Sequence, residues 1–196
     1  DMKEFIKEAL MFNPFFEKWN PPQTRVYEGK VVKGRPTRGF GDGSFNYAGK
    51  HMNPERWDSV IFMPFIKAAA ERVAEQVLGK KVRFTFCLCG YYSHMGEGIP
   101  HHSDTVPEYD DIVLSASFGS PRVFEWIEYS GQIKDNCNTS DINIEHKEIV
   151  KKESYIMEHG DIILFDGYSQ MNSTHAVPEV MGPLGDRINM TFRSGL

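Results

Sequence analysis

Arg187-Ile188-Asn189-Met190-Thr191-Phe192-Arg193 is the stretch that decides how this chain folds. Successive side chains of a strand point to opposite faces, so Arg187, Asn189, Thr191 and Arg193 share one face and Ile188, Met190 and Phe192 the other. The apolar face asks for a core. The opposite face carries two arginines and an asparagine, and it is costly to bury unless an anion neutralises it. Arginine's planar fork suits a dicarboxylate as that anion. The plainer reading is an edge strand whose arginines are solvated.

The neighbouring segments have the same texture. Ser173 to Val177, Asp161 to Phe165 and Glu148 to Met157 are short apolar runs, the middle one fed by a turn at Gly160-Asp161. Ile112 to Phe118 and Val123 to Tyr129 are separated by Gly119-Ser120-Pro121, which predicts a hairpin. Further back, Phe84, Phe86 and Leu88 alternate with Arg83, Thr85 and Cys87 from Val82 onward. Residues 130 to 147 are polar and Asn-rich and read as a surface insertion. The strongest helical period runs from Trp57 to Leu78, through Ile61, Phe65, Ala68, Ala69, Arg72, Val73 and Val77, and is closed by Gly79. An apolar, aromatic stretch from Phe5 to Trp19 stops at Asn20-Pro21-Pro22, which cannot continue a helix. Residues 29 to 56 read as loops with short strands, and Phe40-Gly41-Asp42-Gly43 as a turn. A helical region followed by many short strands is an α+β chain with an antiparallel double sheet of the jelly-roll type, not a doubly wound parallel sheet.

Composition narrows the class. At 196 residues the chain fits one domain with a proper core, and 40% hydrophobic with 25% charged residues speaks against a disordered or fibrous class. No apolar run approaches the roughly 20 residues a membrane span needs, and no signal peptide is visible. Cys87, Cys89 and Cys137 are too few and odd in number for a disulfide framework. Cys87 and Cys89, within an apolar run, read as buried thiols in a reducing, intracellular compartment. The chain opens on Asp1, so an excised domain of a longer chain is one expectation. A net charge of −5 is unfavourable for binding phosphates, so any nucleic-acid contact must come from a local patch. Lys30, Lys33, Arg35 and Arg38 offer one, and a solvated loop explains them equally well.

His102-Ser103-Asp104 places an imidazole and a carboxylate two residues apart, on one face of an extended backbone. Alone the pair is weak, and His101 is adjacent. A third ligand must come from elsewhere, and His175 follows in the strand-rich C-terminal half. Two His and one carboxylate on one face of an octahedral Fe(II) leave three positions for a bidentate co-substrate and O2.

These residues together resemble the AlkB family of Fe(II)/2-oxoglutarate-dependent dioxygenases. The family pattern is Asn-x-Tyr, then His-x-Asp, then a distal His, then Arg-x-Asn-x-Thr-Phe-Arg. Here it is met by Gly90-Tyr91-Tyr92, His102-Ser103-Asp104, His175 and the complete run from Arg187 to Arg193. Arg38-Gly39-Phe40-Gly41-Asp42 and Tyr47 look like the family's substrate-lid segment. The resemblance implies a double-stranded β-helix with N-terminal helices and a substrate lid. It divides a single domain, residues 1–196, into a helical N-terminal part with the lid (1–80) and a jelly-roll catalytic core (81–196).

By the same resemblance His102, Asp104 and His175 hold Fe(II). Arg187 pairs with the distal carboxylate of 2-oxoglutarate, Arg193 helps hold its chelating end, and Asn189 and Tyr92 donate further hydrogen bonds. Arg38, Phe40, Asp42, Tyr47 and Glu108 are the residues it places towards the substrate. With O2, such a site oxidises an N-alkyl carbon of a nucleobase in DNA or RNA and releases formaldehyde, succinate and CO2, and the enzyme is expected to be a monomer. A hydroxylase of a protein side chain, modified base or small molecule is the alternative, and a non-catalytic nucleic-acid-binding module a third. Two departures stand out. Gly90 replaces the family's co-substrate Asn, and Thr105-Val106-Pro107 stand where the family places an acid, leaving Glu108 as the first.

Overall fold

A computed structural model describes residues 19–21, 24–27, 30–47, 50–93, 97–181 and 184–195. Of the expected N-terminal segment from Phe5 to Trp19, all but Trp19 lies outside the described residues, and for Tyr47 only the backbone is described.

Two short ribbons pair β1 (Thr24–Tyr27) with β2 (Lys30–Lys33) and β4 (Phe45–Tyr47) with β5 (Lys50–Met52), and β3 (Thr37–Gly41) runs between them. A 3-10 turn at Trp57–Ser59 leads into α1 (Met63–Leu78). The remaining strands are β6 (Phe86–Tyr92), β7 (Ile99–His102), β8 (Ile112–Gly119), β9 (Arg122–Tyr129), β10 (Ile149–Met157), β11 (Ile162–Asp166), β12 (Ser173–Val177) and β13 (Arg187–Arg193), with the short helix α2 (Gly167–Asn172) between β11 and β12.

The larger sheet runs β11-β8-β13-β6-β3 and the smaller β10-β9-β12-β7, with antiparallel neighbours throughout. This is a jelly-roll double sheet, with α1 packed on the outer face of the larger sheet. Met63, Ile66, Ala70 and Ala74 of α1 share one core with Cys87, Leu114, Met190 and Phe192. The second core lies between the sheets, where Tyr92, Val113, Phe124, Phe165 and Val177 meet. The period of two therefore gives each strand of the larger sheet an outer side packed on the helix and an inner side facing the smaller sheet. β13 follows this rule: Ile188, Met190 and Phe192 lie in the outer core. Cys87 and Cys89 are buried free thiols on that outer side, and burial pushes the Cys87 thiol up.

Several sequence expectations are corrected. The segment Gly119-Ser120-Pro121 is not a hairpin turn, because β8 belongs to the larger sheet and β9 to the smaller. The chain crosses between sheets there. Gly119 has φ +100°, and a Cβ on it would meet the Asp186 carbonyl oxygen at 2.3 Å, so the crossing needs glycine. Residues 82 to 85 lie outside β6, which begins at Phe86. Among the described residues before position 81, five strands precede α1, and β3 is an edge of the larger sheet.

The expected apolar stripe of the helix is also the wrong one. Ile61, Phe65 and Val77 are 85%, 73% and 68% exposed, whereas the buried face is built from Met63, Ile66, Ala70 and Ala74. The helix is apolar on more than one side. The side with small alanines is the one that lets its backbone approach the sheet. Replacing Phe192, which packs against Phe84 and Trp57, with Ala is expected to cost about 3–5 kcal/mol in urea unfolding. Phe65→Ala is expected to change stability by no more than about 0.5 kcal/mol.

Candidate metal centre

His102 ends β7, Asp104 follows two residues later, and His175 lies in β12 directly opposite His102 in the antiparallel register. That pairing brings the two imidazole rings to 4.4 Å between centroids. One ligand atom from each of the three residues lies within 4.8 Å of the others. Asp104 Oδ1 is 3.9 Å from His102 Nε2, and its Oδ2 is 3.6 Å from His175 Nε2. His102 Nδ1 sits 2.9 Å from the Pro100 carbonyl oxygen, and as the donor there it leaves Nε2 to face the carboxylate. His101 turns elsewhere, towards Thr174 Oγ1 and Glu125 Oε2. The choice left open between His101 and His102 thus falls on His102.

Electrostatics prepare the cluster for a cation. Burial works to raise the Asp104 carboxyl, but Arg193, His175 and His102 together outweigh it and hold it well below the usual carboxylate range. Arg193 Nη2 donates to Asp104 Oδ1 at 2.9 Å. Burial, reinforced by the charge His102 would carry, pushes His175 down to about 3, and burial also lowers His102. Two neutral imidazoles and an ionised carboxylate are the protonation states that metal ligation requires. This donor set fits an Fe(II) with three open positions.

The His175 ring is held by a wall of aromatics: Phe124 and Trp126 stack parallel to it, and Phe165 lies at 5.1 Å. On their other side these rings line a cleft of about 520 Å³ between β10 and β11.

Next to the triad, the inner side of the larger sheet is polar. Arg187 is 1% exposed, donates from Nη2 to Ser117 Oγ at 2.8 Å, and holds its Cζ 4.8 Å from the centre of the buried Tyr92 ring. Its Nε and Nη1 are buried without a hydrogen-bond partner. A buried guanidinium left in that state is costly, and an incoming carboxylate would give it an acceptor. Asn189 exchanges hydrogen bonds with Ser115, which orients its amide on the same inner face. Tyr92, Arg187, Asn189 and Arg193 are therefore brought together with His102, Asp104 and His175.

Of the residues expected to meet substrate, Arg38, Phe40, Asp42 and Glu108 are not gathered there. In β3, Arg38 and Phe40 point to the outer side. Arg38 is 2% exposed and forms a two-point ion pair with Glu55, and Phe40 is fully buried in the helix-side core. Asp42 accepts from Trp57 Nε1 at 2.7 Å and from Arg83. In this structure the three contact the protein's own side chains and not the metal cluster. The alternation Arg38-Gly39-Phe40-Gly41-Asp42 already put them on one strand face, though not on which side of the sheet. Glu108 is exposed. The basic cluster also disperses, since Arg38 is buried and Arg35 is half-buried.

Two residues escaped the sequence reading. Gln170, on α2, accepts from the Asp104 amide through Oε1 at 2.8 Å, and its carbonyl accepts from Ser103 Oγ. Lys134, 5% exposed, donates to the Asp104 carbonyl at 2.7 Å, and burial pushes it down to about 8. It belongs to the supposed surface insertion, which folds inward through Ile133, Lys134 and Cys137 instead. The isolated Ile133 and Cys137 within that polar stretch were the available signal. Partners that orient ligands tune metal affinity, so Gln170→Ala is expected to weaken Mn(II) binding by about 10-fold. Titration followed by electron paramagnetic resonance would check this.

Comparison with known proteins agrees with this geometry. The profile of the 2OG-Fe(II) oxygenase superfamily matches residues 4–193. "DNA oxidative demethylase ALKBH2" of Arabidopsis thaliana is 25% identical over 96% of this chain. "Alpha-ketoglutarate-dependent dioxygenase alkB homolog 3" of Bos taurus is 26% identical over 82%. The chain spans 62% and 51% of the length of these two relatives. Among solved structures, an oxidoreductase of the 2OG-Fe(II) oxygenase family from Burkholderia pseudomallei aligns with a TM-score of 0.50 at 11% identity, over 88% of this chain and 72% of that one, which is a likeness of fold.

Proposed function

The chain belongs to the 2OG-Fe(II) oxygenase superfamily and, within it, to the AlkB family, and we propose that it oxidatively removes N-alkyl groups from nucleobases in DNA or RNA. The observation that carries this reading is the pairing of two features on facing sheets. The cluster of His102, Asp104 and His175 stands beside a buried Arg187 whose Nε and Nη1 lack partners.

Fe(II), 2-oxoglutarate and O2 supply the oxidising power when bound, and the protein's residues supply position, charge and dryness. His102, Asp104 and His175 hold the metal. Arg187 takes the distal carboxylate of 2-oxoglutarate, with Ser117 fixing its fork. Asn189 and Tyr92 line the space between. Arg193 sits on Asp104 and keeps that ligand ionised while facing the chelating end of the co-substrate. Phe124, Trp126 and Phe165 keep water from the His175 side. An N-methyl group hydroxylated at its carbon leaves as formaldehyde when the C–N bond breaks, and its hydroxyl proton passes to the nitrogen of the free base.

The choice of a nucleobase rests on the named activity of the Arabidopsis relative. A base must leave its stack to reach such a recessed site. Val106, in the stretch Thr105-Val106-Pro107 that stands where the family places an acid, is buried in the inter-sheet core. Tyr47 and the exposed Glu108 are the remaining candidates for base contact.

The test is a panel of methylated single- and double-stranded oligonucleotides incubated with the protein, Fe(II), ascorbate and 2-oxoglutarate. Loss of one methyl group by mass, with formaldehyde and succinate released in equal amounts, is the expected result, and His102→Ala should reduce it at least about 100-fold. Succinate release with no oligonucleotide demethylated would move the activity to another substrate class. No succinate with any substrate would sink the dioxygenase reading.

A further inference from the structure

The position that breaks the family pattern, Gly90, is not empty space. It lies on the inner side of β6 with Tyr92, two residues on, and is paired with Asn189 of β13 and Thr37 of β3. A Cβ built on Gly90 would lie 2.4 Å from Arg35 Nε and 3.2 Å from both Arg35 Cδ and Cζ. The volume that a side chain at position 90 would fill is taken by a guanidinium arriving from the loop between β2 and β3.

Arg35 also holds its Cζ 5.1 Å from the centre of the Tyr92 ring, the same ring that Arg187 approaches at 4.8 Å. Its Nε is buried and has no hydrogen-bond partner. Among the described residues no carboxylate pairs with Arg35. Two guanidiniums on one tyrosine, neither neutralised, call for an anion between them.

We propose that Arg35 is a 2-oxoglutarate-binding residue, delivering from the β2–β3 loop the hydrogen bond that a side chain at position 90 cannot give. This rests on the reading that the Arg187 pocket holds 2-oxoglutarate. The charge of Arg35 is close enough to bear on both His102 and Arg187. A charged donor there holds the co-substrate more firmly than a neutral amide would.

The experiment measures 2-oxoglutarate binding by calorimetry on Mn(II)-loaded protein, alongside Mn(II) affinity and melting temperature. Wild type is compared with Arg35→Ala, Arg35→Gln, Gly90→Asn and the double variant Arg35→Ala/Gly90→Asn. Arg35→Ala is expected to raise the Kd for 2-oxoglutarate by about 10- to 100-fold, the effect of removing one charge-assisted hydrogen bond, and to leave Mn(II) affinity unchanged. Arg35→Gln, which keeps a donor, should lie between. Gly90→Asn alone collides with Arg35 and weakens binding, whereas the double variant recovers much of it. In turnover, KM for 2-oxoglutarate should rise with Kd while kcat at saturation stays within about threefold.

Unchanged 2-oxoglutarate affinity in both Arg35 variants, with wild-type binding measurable, overturns the role of Arg35 and leaves the co-substrate pocket standing. A higher KM for oligonucleotide with unchanged 2-oxoglutarate affinity overturns it too, and gives Arg35 to the substrate. A wild-type protein that binds no 2-oxoglutarate overturns the pocket itself, and the role of Arg35 with it.

Discussion

The contact between Arg193 and Asp104 holds the arrangement together. Arg193 closes β13, the central strand of the larger sheet, and Asp104 leaves the end of β7, the edge of the smaller one. Both side chains are almost fully buried. Removing two charges from water is expensive, and a buried pair of this kind adds little net stability. What it does is fix distances. It ties the two sheets at the depth of the metal ligands and keeps the carboxylate ionised against the pull of burial. Lys134 and Gln170 then grip the backbone of Asp104 from the long 130–147 segment and from α2. One ligand is thereby held from the larger sheet, a short helix and an insertion.

β13 carries two unrelated duties on its two sides. The outer residues Ile188, Met190 and Phe192 are ordinary core under α1. The inner residues Arg187, Asn189 and Arg193 are a polar lining that an isolated strand could not afford to bury. The first set supplies the burial that lets the second set exist. The smaller sheet works similarly, with Phe124 and Trp126 on β9 facing inward to steady His175.

Much of this was legible in the sequence wherever local pattern and global role coincide. The run from Arg187 to Arg193 alternates so cleanly that the strand and its two faces follow from it, and the element bounds match those found. The ligand triad needed the third histidine, which only a sheet register could bring opposite His102. Where local pattern is silent about three-dimensional direction, the reading erred. The alternation of Arg38, Phe40 and Asp42 gave a common face but not whether it looks to the helix or to the metal. The helix offered two apolar sides, and shape chose the alanine side. Gly119-Ser120-Pro121 has the composition of a tight turn, and the same residues serve a crossing between sheets. Arg35 looked like one cation in a surface cluster because nothing in its neighbourhood tells of a glycine 55 positions away that makes room for it.

The central place of β13 has a consequence for how the chain reaches this state. β8 and β9 follow one another closely, yet the crossing at Gly119 denies them a mutual hairpin. β8 is therefore left to pair with β11 and β13, the second joined to it through contacts such as Ser115 with Asn189, 74 residues apart. Loops of that span close slowly, and folds dominated by distant pairings fold slowly. Until β13 inserts, β6 and β8 each present an unpaired edge towards the gap it will fill, and such edges recruit other chains. The strand that carries Arg187 and Arg193 is thus also the one that closes the two inner edges of the larger sheet.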